Sequence, residues 1–230
     1  MFDFLFLDLD NTILDFDKAE QVAIPKTLAA FGVTVTQESL QRYHLINKNS
    51  WEMMGRGEIP RSIVGMHRFA AFFADQGIQA DAWACEPLYQ KNLAIGHYFL
   101  PGAEEAVKNL SKKYRLFLAS NGTASVQEGR MTSANLYPYF EKVFNSQQIG
   151  ANKPSNEYFD RCFAQIPDFD PQKAMIVGDS LTSDILGGIH AGIATCWVNP
   201  SHLPDREDIR PDFELEGLYQ LEALLEQLKD

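Results

Sequence analysis

A buried-strand pattern at the amino terminus is the feature that most constrains how this chain can fold. Residues 4–7 are all apolar, and Asp8 and Asp10 follow, separated by one leucine. A run that is apolar on both faces is typical of a strand in a parallel sheet covered by helices. Because side chains alternate along a strand, both carboxylates are expected on one side at its carboxyl end, where open α/β sheets bind ligands.

The paired carboxylates have two competing explanations. Carboxylates held this close repel each other, and burial raises their pKa values unless a cation or hydrogen-bond donors compensate. A divalent metal ion would compensate them, which makes the pair a candidate metal site. Alternatively, the two acids merely end a strand at the solvent, and residues 4–10 alone do not separate the two explanations.

Composition and charge narrow the class of protein. The 230 residues carry a formal net charge of −11, which argues against nucleic acid or an anionic membrane surface as the main partner. No apolar stretch reaches the length of a membrane span, about 18–20 residues, and acids stand where a signal peptide would carry Lys or Arg. The three cysteines are scattered, so reduced thiols are expected. We therefore expect a cytoplasmic protein. The sequence leaves open whether it is a monomer or a homodimer.

An all-helical segment is predicted after the first strand. Residues 15–97 show helical patterns and no convincing strand, and Pro25 is expected to kink or divide the first helix, while Pro60 should open the third. The predicted helices cover 17–30, 37–54, 60–76 and 81–95. The pattern therefore predicts a helical insert at 15–97 within a core formed by 1–14 and 98–230.

The rest of the chain alternates between strand and helix patterns, which is typical of βαβ units and a parallel sheet. The predicted strands are 114–120, 142–145, 174–178 and 195–198, with 213–215 as a last edge strand and a closing helix at 218–228. The expected fold class is α/β, with a Rossmann-like parallel sheet, helices on both faces and the helical insert.

Two further strand ends carry groups that suit a phosphoryl ligand. Ser120, Asn121 and Gly122 offer a hydroxyl, an amide and an exposed backbone N–H. Lys153, followed by a proline that favours an extended backbone, would add a positive charge between the carboxylates and a bound phosphate. Each has a simpler explanation, because Asn-Gly is a common turn and a lysine beside a proline is commonly a surface residue.

Two more acids follow the strand predicted at 174–178. Asp179 comes directly after it, and Asp184 lies about one helical turn further on. Carboxylate oxygens are ligands that Mg²⁺ accepts. Helix N-capping explains one such aspartate, but not both together with Asp8 and Asp10. The combination therefore favours a metal-dependent site at the carboxyl edge of the sheet.

Together these motifs resemble those of the haloacid dehalogenase superfamily of phosphotransferases. The resemblance covers nearly all of the chain outside the insert, and the superfamily carries a helical cap where residues 15–97 lie. The matching motifs are DxDxT at Asp8, Asp10 and Thr12, Ser-Asn at Ser120 and Asn121, Lys-Pro at Lys153, and GDxxxxD from Gly178 to Asp184.

The resemblance implies a role for each matched residue. Asp8 would be the nucleophile that forms an aspartyl-phosphate, and Asp10 would serve as general acid and then general base. Mg²⁺ would be bound by the carboxylates of Asp8 and Asp179 and the carbonyl of Asp10. Asp184 would support the metal ligands. Lys153, Ser120 and the Asn121 backbone would hold the phosphoryl group. Thr12 would lie at the turn after Asp8, beside the phosphoryl group.

A narrower resemblance concerns the substrate. Residues 8–17, 47–51 and above all 183–199 are similar to the bacterial pyrimidine 5'-nucleotidases, which dephosphorylate UMP, dUMP and dTMP. This implies a pyrimidine nucleotide as the small-molecule partner. Asn47, Lys48 and Trp51 of the insert are the candidate nucleoside contacts, although a buried helix tryptophan is an equally good explanation of Trp51.

Other functions stay open at this point. A sugar-phosphate phosphatase or a phosphoglucomutase would share the same core motifs, and a binding protein could keep the fold without turnover. A dehalogenase is disfavoured, because the release of halide needs no acid in the position of Asp10.

Overall fold

A six-stranded parallel sheet organises the larger part of the chain. The computed structural model describes residues 1–204 and 206–229, and the strands run in the order β3-β2-β1-β4-β5-β6, every neighbouring pair being parallel. The strands are β1 Phe4–Leu7, β2 Arg115–Ser120, β3 Lys142–Asn145, β4 Ala174–Gly178, β5 Ala194–Val198 and β6 Phe213–Leu215. The predicted α/β fold class is confirmed.

The first strand lies at the centre of the sheet. In β1, Leu7 pairs with Leu118 of β2 on one side and with Val177 of β4 on the other, and all four β1 residues are buried. This explains the unbroken apolar run, because a strand with neighbours on both sides and layers on both faces has no position facing water. The strand order reverses between β1 and β4, so a topological switch point lies beside Asp8.

An aromatic layer fills one face of the sheet. The ring centroids of Phe6 and Phe117 lie 5.2 Å apart, and those of Phe117 and Phe144 lie 5.9 Å apart. Tyr158 and Phe159 pack into the same cluster from the helix at Asn156–Phe163. Offset aromatic pairs add stabilisation beyond the area they bury, so this layer fixes the strands whose ends carry the candidate site.

Helices account for most of the remaining chain. The described α-helices are α1 Phe16–Ala29, α2 Gln37–Gly55, α3 Val64–Gln76, α4 Ala82–Leu93, α5 Ala103–Leu110, α6 Ala124–Ser133, α7 Ser146–Ile149, α8 Asn156–Phe163, α9 Leu186–Ala191 and α10 Leu221–Gln227. None of those in the described ranges combines the length and the apolar composition that a membrane span requires.

The structure excludes one of the two effects expected of Pro25 and corrects the start expected for the third helix. Pro25 lies inside α1 without dividing it, because the buried side of this helix, including Ala23 and Ile24, continues across the proline and its packing outweighs one missing hydrogen bond. Pro60 precedes a 3₁₀ turn at Arg61–Ile63, so α3 begins only at Val64.

The chain divides into two compact units. The sheet unit comprises Met1–Asp15, Tyr98–Ala124 and the described residues from Ala134 onward. The helical unit comprises Phe16–His97 together with Ser125–Ser133, so that most of α6 belongs with α1–α4. Strand and helix patterns gave no reason to separate α6 from the strands around it.

Candidate active site

The candidate site lies at the carboxyl ends of three neighbouring strands. Asp8 directly follows β1, Ser120 ends β2 and Asp179 directly follows β4. Because β1 pairs with both β2 and β4, the topology brings these strand ends together from distant parts of the chain. This is the edge at which open α/β sheets bind ligands.

Three carboxylates converge at this edge. One oxygen from each of Asp8, Asp179 and Asp184 lies within 4.8 Å of the others. Asp8 and Asp184 are buried, and Asp179 is partly exposed. Asp10 also acts on the group, because its charge raises the pKa values of both Asp8 and Asp179. The structure therefore brings all four predicted acids into one electrostatic site.

A tight turn follows Asp8. Asn11 has a φ of 53°, a left-handed conformation that asparagine tolerates better than most residues, and its N–H donates to Leu14 O at 2.8 Å. The N–H of Leu14 donates to Leu9 O at 2.9 Å. The Thr12 hydroxyl is buried and makes no hydrogen bond within the described residues, so backbone bonds rather than this hydroxyl hold the turn.

Lys153 is the positive charge of the site. Its Nζ donates to Asp8 Oδ1 at 2.7 Å and to Asp184 Oδ1 at 2.5 Å, and it also donates to the carbonyl of Ala119. The side chain is almost fully buried. Burial alone would lower the pKa of the Lys153 ammonium. The Asp184 and Asp8 carboxylates outweigh this effect and raise the pKa above its ordinary value. The lysine therefore stays protonated.

One ammonium does not balance this many acids. Burial raises the pKa of Asp8 to about 7, against the lowering effect of Lys153, and Asp184 and Asp10 raise it further. Burial and the charges of Asp8, Asp184 and Asp10 raise the pKa of Asp179 well above its ordinary value. An oxygen-rich group with excess negative charge fits a hard divalent cation such as Mg²⁺, which would favour the ionised carboxylates.

Asp184 has a supporting position in the site. Besides its bond to Lys153, its Oδ2 accepts the N–H of Ser180 at 3.1 Å, which ties it to the turn after β4. A Cβ placed on Gly178 would lie only 2.2 Å from Asp184 Oδ2. The glycine before Asp179 is therefore required by the close approach of this carboxylate.

Polar contacts hold the loop after β2. Ser120 Oγ accepts the N–H of Gly122 at 3.0 Å, and the Asn145 side chain donates to Gly122 O at 2.9 Å. Asn145 is buried at the end of β3. These bonds give a defined shape to the segment Ser120–Gly122, which is the candidate phosphate-binding loop.

Two structural partners of the site were missed by sequence reasoning. The Asn121 side chain bonds to the backbone of Lys153, whereas the sequence suggests this amide only as a donor to a phosphoryl ligand. Trp197 of β5 donates its indole N–H to the carbonyl of Asp179 at 2.8 Å. No local pattern identifies such contacts, because each joins segments far apart in sequence.

Comparison with known proteins decides the family. A family model described as "Haloacid dehalogenase-like hydrolase" matches residues 5–198. The chain belongs to this family. The match includes all of β1 except Phe4, all of β2–β5 and every residue of the candidate site. The resemblance inferred from the motifs is confirmed.

Relatives within the haloacid dehalogenase-like family align over nearly the whole chain. A crystal structure of the putative hydrolase YfnB from Bacillus subtilis, described as bound to magnesium, is 35% identical with a TM-score of 0.93, covering 97% of this chain and 98% of the other. Pyrimidine 5'-nucleotidase PynA of Streptococcus pneumoniae is 36% identical over 98% of this chain and 94% of its own. Pyrimidine 5'-nucleotidase YjjG of Escherichia coli is 30% identical, with 97% coverage of both chains.

The residues expected to read a nucleoside in this family member lie on α2 of the helical unit. Asn47 is 2% exposed, and its amide bonds to Glu20 Oε1 at 2.6 Å and to Arg68 Nη1 at 3.0 Å. Both the donor and the acceptor atom of this amide are therefore already bonded within the helical unit. Lys48 is exposed, and Trp51 is half-buried with the Arg61 guanidinium 5.3 Å from its ring centroid.

Proposed function

We propose that this chain hydrolyses phosphomonoesters through a phosphoryl group carried on Asp8, and that pyrimidine nucleoside monophosphates such as UMP, dUMP and dTMP are its substrates. The observation that carries the proposal is the buried Asp8 carboxylate, 2.7 Å from Lys153 Nζ and within a cluster of further acids. A carboxylate held in this way is a known type of covalent nucleophile.

In the first half-reaction, an Asp8 oxygen attacks phosphorus and the ester P–O bond breaks. The bonding electron pair stays on the leaving oxygen, which takes a proton from Asp10. The Lys153 ammonium, the Ser120 hydroxyl and the backbone N–H of Asn121 hold the phosphoryl oxygens while charge redistributes. The buried Thr12 hydroxyl beside the turn is a further proposed donor.

In the second half-reaction, a water molecule gives a proton to Asp10 and attacks the same phosphorus atom. The bond between phosphorus and Asp8 breaks, and its electron pair returns to the carboxylate. One carboxyl serves as acid and then as base because its protonation state alternates. The net products are an alcohol, here a nucleoside, and inorganic phosphate.

Mg²⁺ is the proposed cofactor. It would be held by the carboxylates of Asp8 and Asp179 and the carbonyl of Asp10, with Asp184 supporting the group through its bonds to Lys153 and Ser180. When bound, the ion would neutralise charge on the phosphoryl oxygens. The excess of carboxylates at the site and the magnesium described for the YfnB crystal structure support this assignment.

The pyrimidine specificity is supported by two relatives. PynA and YjjG are both named pyrimidine 5'-nucleotidases and align over nearly the whole chain. In the helical unit, which we propose to be the cap, Lys48 and Trp51 are the proposed nucleoside contacts, since an indole suits stacking on a base. Asn47 would support them from within the unit.

A panel of phosphomonoesters with free-phosphate detection tests this function. We expect Mg²⁺-dependent phosphate release from UMP, dUMP and dTMP, abolished by a chelator and by Asp8→Asn. Asp3→Asn, which changes an acid just before β1 at its opposite end, is the matched control and is expected to retain activity.

The panel separates the alternatives. Equal rates on hexose phosphates and pyrimidine nucleotides would reject the nucleotidase assignment and leave a general phosphatase. Isomerisation of a hexose phosphate without net phosphate release would indicate a mutase. An absence of turnover on every ester would reject the enzyme and leave a binding protein.

A further inference from the structure

The Asn121 side chain pairs with both main-chain groups of Lys153. Its Nδ2 donates to Lys153 O at 2.9 Å, and its Oδ1 accepts the Lys153 N–H at 3.0 Å. A side-chain amide carries the same donor and acceptor as a peptide group, so it holds this residue as a neighbouring strand would. The two residues are 32 positions apart in sequence.

Lys153 needs such a partner because no strand holds it. The residue lies in a turn between α7 and α8, whereas its Nζ must reach the Asp8 carboxylate at 2.7 Å. A lysine side chain has many rotamers, and ordering it costs conformational entropy. An ammonium group keeps one position only if the backbone that carries it is also fixed.

Asn121 is itself anchored to other parts of the site. It directly follows Ser120, the last residue of β2, and its Nδ2 also donates to Ser183 Oγ at 3.2 Å. One amide group thereby joins the end of β2, the turn of Lys153 and the turn after β4. A simple Asn-Gly turn requires none of these three contacts.

We infer that the Asn121 side chain is a positioning residue that fixes the backbone of Lys153, so that the ammonium lies between Asp8 and Asp184. This inference rests on the proposed function, in which Lys153 holds the transferred phosphoryl group. It adds a side-chain role to the backbone N–H of Asn121, which is proposed to contact phosphate directly.

A double-mutant cycle with Lys153→Met tests the inference. Asn121→Ala is expected to lower kcat about 10- to 100-fold, the size of effect known for small displacements of a catalytic group, with a smaller change in KM. In the Lys153→Met background the same change is expected to cost less than about twofold, because the group it positions is gone. p-Nitrophenyl phosphate, an activated ester, keeps the slow variants measurable. Asn156→Ala is the matched control, because Asn156 is exposed, and it is expected to turn over at the wild-type rate.

A direct readout accompanies the kinetics. Hydrogen exchange at the Lys153 amide is expected to accelerate in folded Asn121→Ala, because this N–H loses its acceptor. If Asn121→Ala does not fold, Asn121→Gln keeps the amide but moves it by one methylene, and the same non-additivity is expected.

The outcomes separate this inference from the function on which it rests. The positioning role would be overturned if Asn121→Ala lowered kcat equally in the wild-type and Lys153→Met backgrounds, or left kcat unchanged. Either result would leave the proposed phosphatase activity intact. Wild-type protein without phosphate release from any ester would instead reject the proposed function.

Discussion

At the scale of single residues, the site consists of several acids arranged around one lysine. Asp8 and Asp184 share the Lys153 ammonium. The pKa of Asp179 is raised by burial and by the neighbouring acids, and Lys153 offsets this rise only slightly. This imbalance supports the proposed cation site, because charges of opposite sign would match in a structural ion pair.

The motif residues could be predicted from sequence because each follows a strand whose apolar pattern is clear. Their supports could not. Asn121 contacts Lys153 across 32 positions and Trp197 contacts Asp179 across 18, and only the folded sheet brings those segments together. Asn47 shows the same limit, since its burial depends on Glu20 and Arg68 from two other helices.

Trp197→Phe tests how the backbone of Asp179 is held. The change keeps an aromatic ring in the cluster with Ile185 and Ile209 but removes the N–H that bonds to the Asp179 carbonyl. One hydrogen bond is worth about 0.5–1.5 kcal/mol, so Mg²⁺ affinity measured by calorimetry on metal-free protein is expected to fall by up to about tenfold.

Trp83→Phe is the matched control, because this tryptophan is 63% exposed on α4. Its Mg²⁺ affinity is expected to equal that of the wild type. Unchanged affinity in Trp197→Phe would show that the indole does not position Asp179.

At the scale of elements, strands were predicted more accurately than helices. β3 and β4 have the predicted bounds, and β2 and β5 differ by one residue at one end. Buried parallel strands give uniform apolar runs bounded by polar residues. Prolines were less informative, since Pro25 stays within α1 and whether a helix continues across a proline depends on its packing.

The helical unit contains a buried polar network that composition does not indicate. Glu20 of α1, 2% exposed, accepts from Asn47 and lies 2.8 Å from His44 Nδ1. Arg68 of α3 joins Asn47 to Glu86 of α4. These contacts connect α1–α4, and removing one partner of such a network leaves the other charges buried without compensation.

The pair of His44 and Glu20 makes the stability of the helical unit depend on pH. The hydrogen bond that His44 donates to the Glu20 carboxylate raises the pKa of His44 above its ordinary value of 6.5, against partial burial, and the charges of Glu20 and Asp17 raise it further. A histidine whose pKa is raised by folding stabilises the folded state. The stabilisation is complete below the pKa of the unfolded state and is lost as pH rises through the pKa of the folded state. Between about pH 5.5 and pH 8.5, the wild-type Tm is expected to fall relative to that of His44→Gln.

His97→Gln is the control for this comparison, since His97 is exposed and its Nδ1 lies 3.0 Å from the backbone carbonyl oxygen of Ile95. Its Tm is expected to follow the wild type across the range. Parallel pH curves for wild type and His44→Gln would contradict the role assigned to this pair.

At the scale of the whole molecule, the acidic site should weaken the metal-free fold. The pKa of Asp179 is raised by burial and by Asp8, Asp184 and Asp10, so the folded state binds this proton more tightly than the unfolded state. Stability is therefore lost as pH rises from the ordinary value of 3.8 through the folded pKa. In chelator at about pH 8, where unfolded carboxyls are ionised, Asp179→Asn is expected to have a higher Tm than the wild type.

Mg²⁺ should reverse that order. A ligand that binds only the folded state stabilises it by about 2.7 kcal/mol at a concentration of 100 times its Kd, and Asp179→Asn should gain much less than the wild type. Asp160→Asn, an exposed acid of α8, is expected to respond as the wild type does. A chelated Asp179→Asn that is less stable than wild type would contradict the charge imbalance.

The division of the whole chain was only partly visible in its sequence. The loss of strand patterns after β1 marks the helical segment, because helical and strand periodicities differ. The grouping of Ser125–Ser133 with Phe16–His97 is not visible in this way. It depends on tertiary contacts such as the bond from Arg130 Nε to Gly96 O at 2.9 Å.

The most direct test of the central proposal is the mass of the peptide containing Asp8, isolated by acid quench during steady turnover of p-nitrophenyl phosphate with Mg²⁺. The leaving group of this ester needs no proton from Asp10, so Asp10→Asn lacks only the base of the second half-reaction. Covalent catalysis predicts that the peptide gains the mass of one phosphoryl group in Asp10→Asn and never in Asp8→Asn. A phosphoryl group on any other residue, or an unmodified Asp8 peptide in Asp10→Asn that still releases p-nitrophenol, would contradict it.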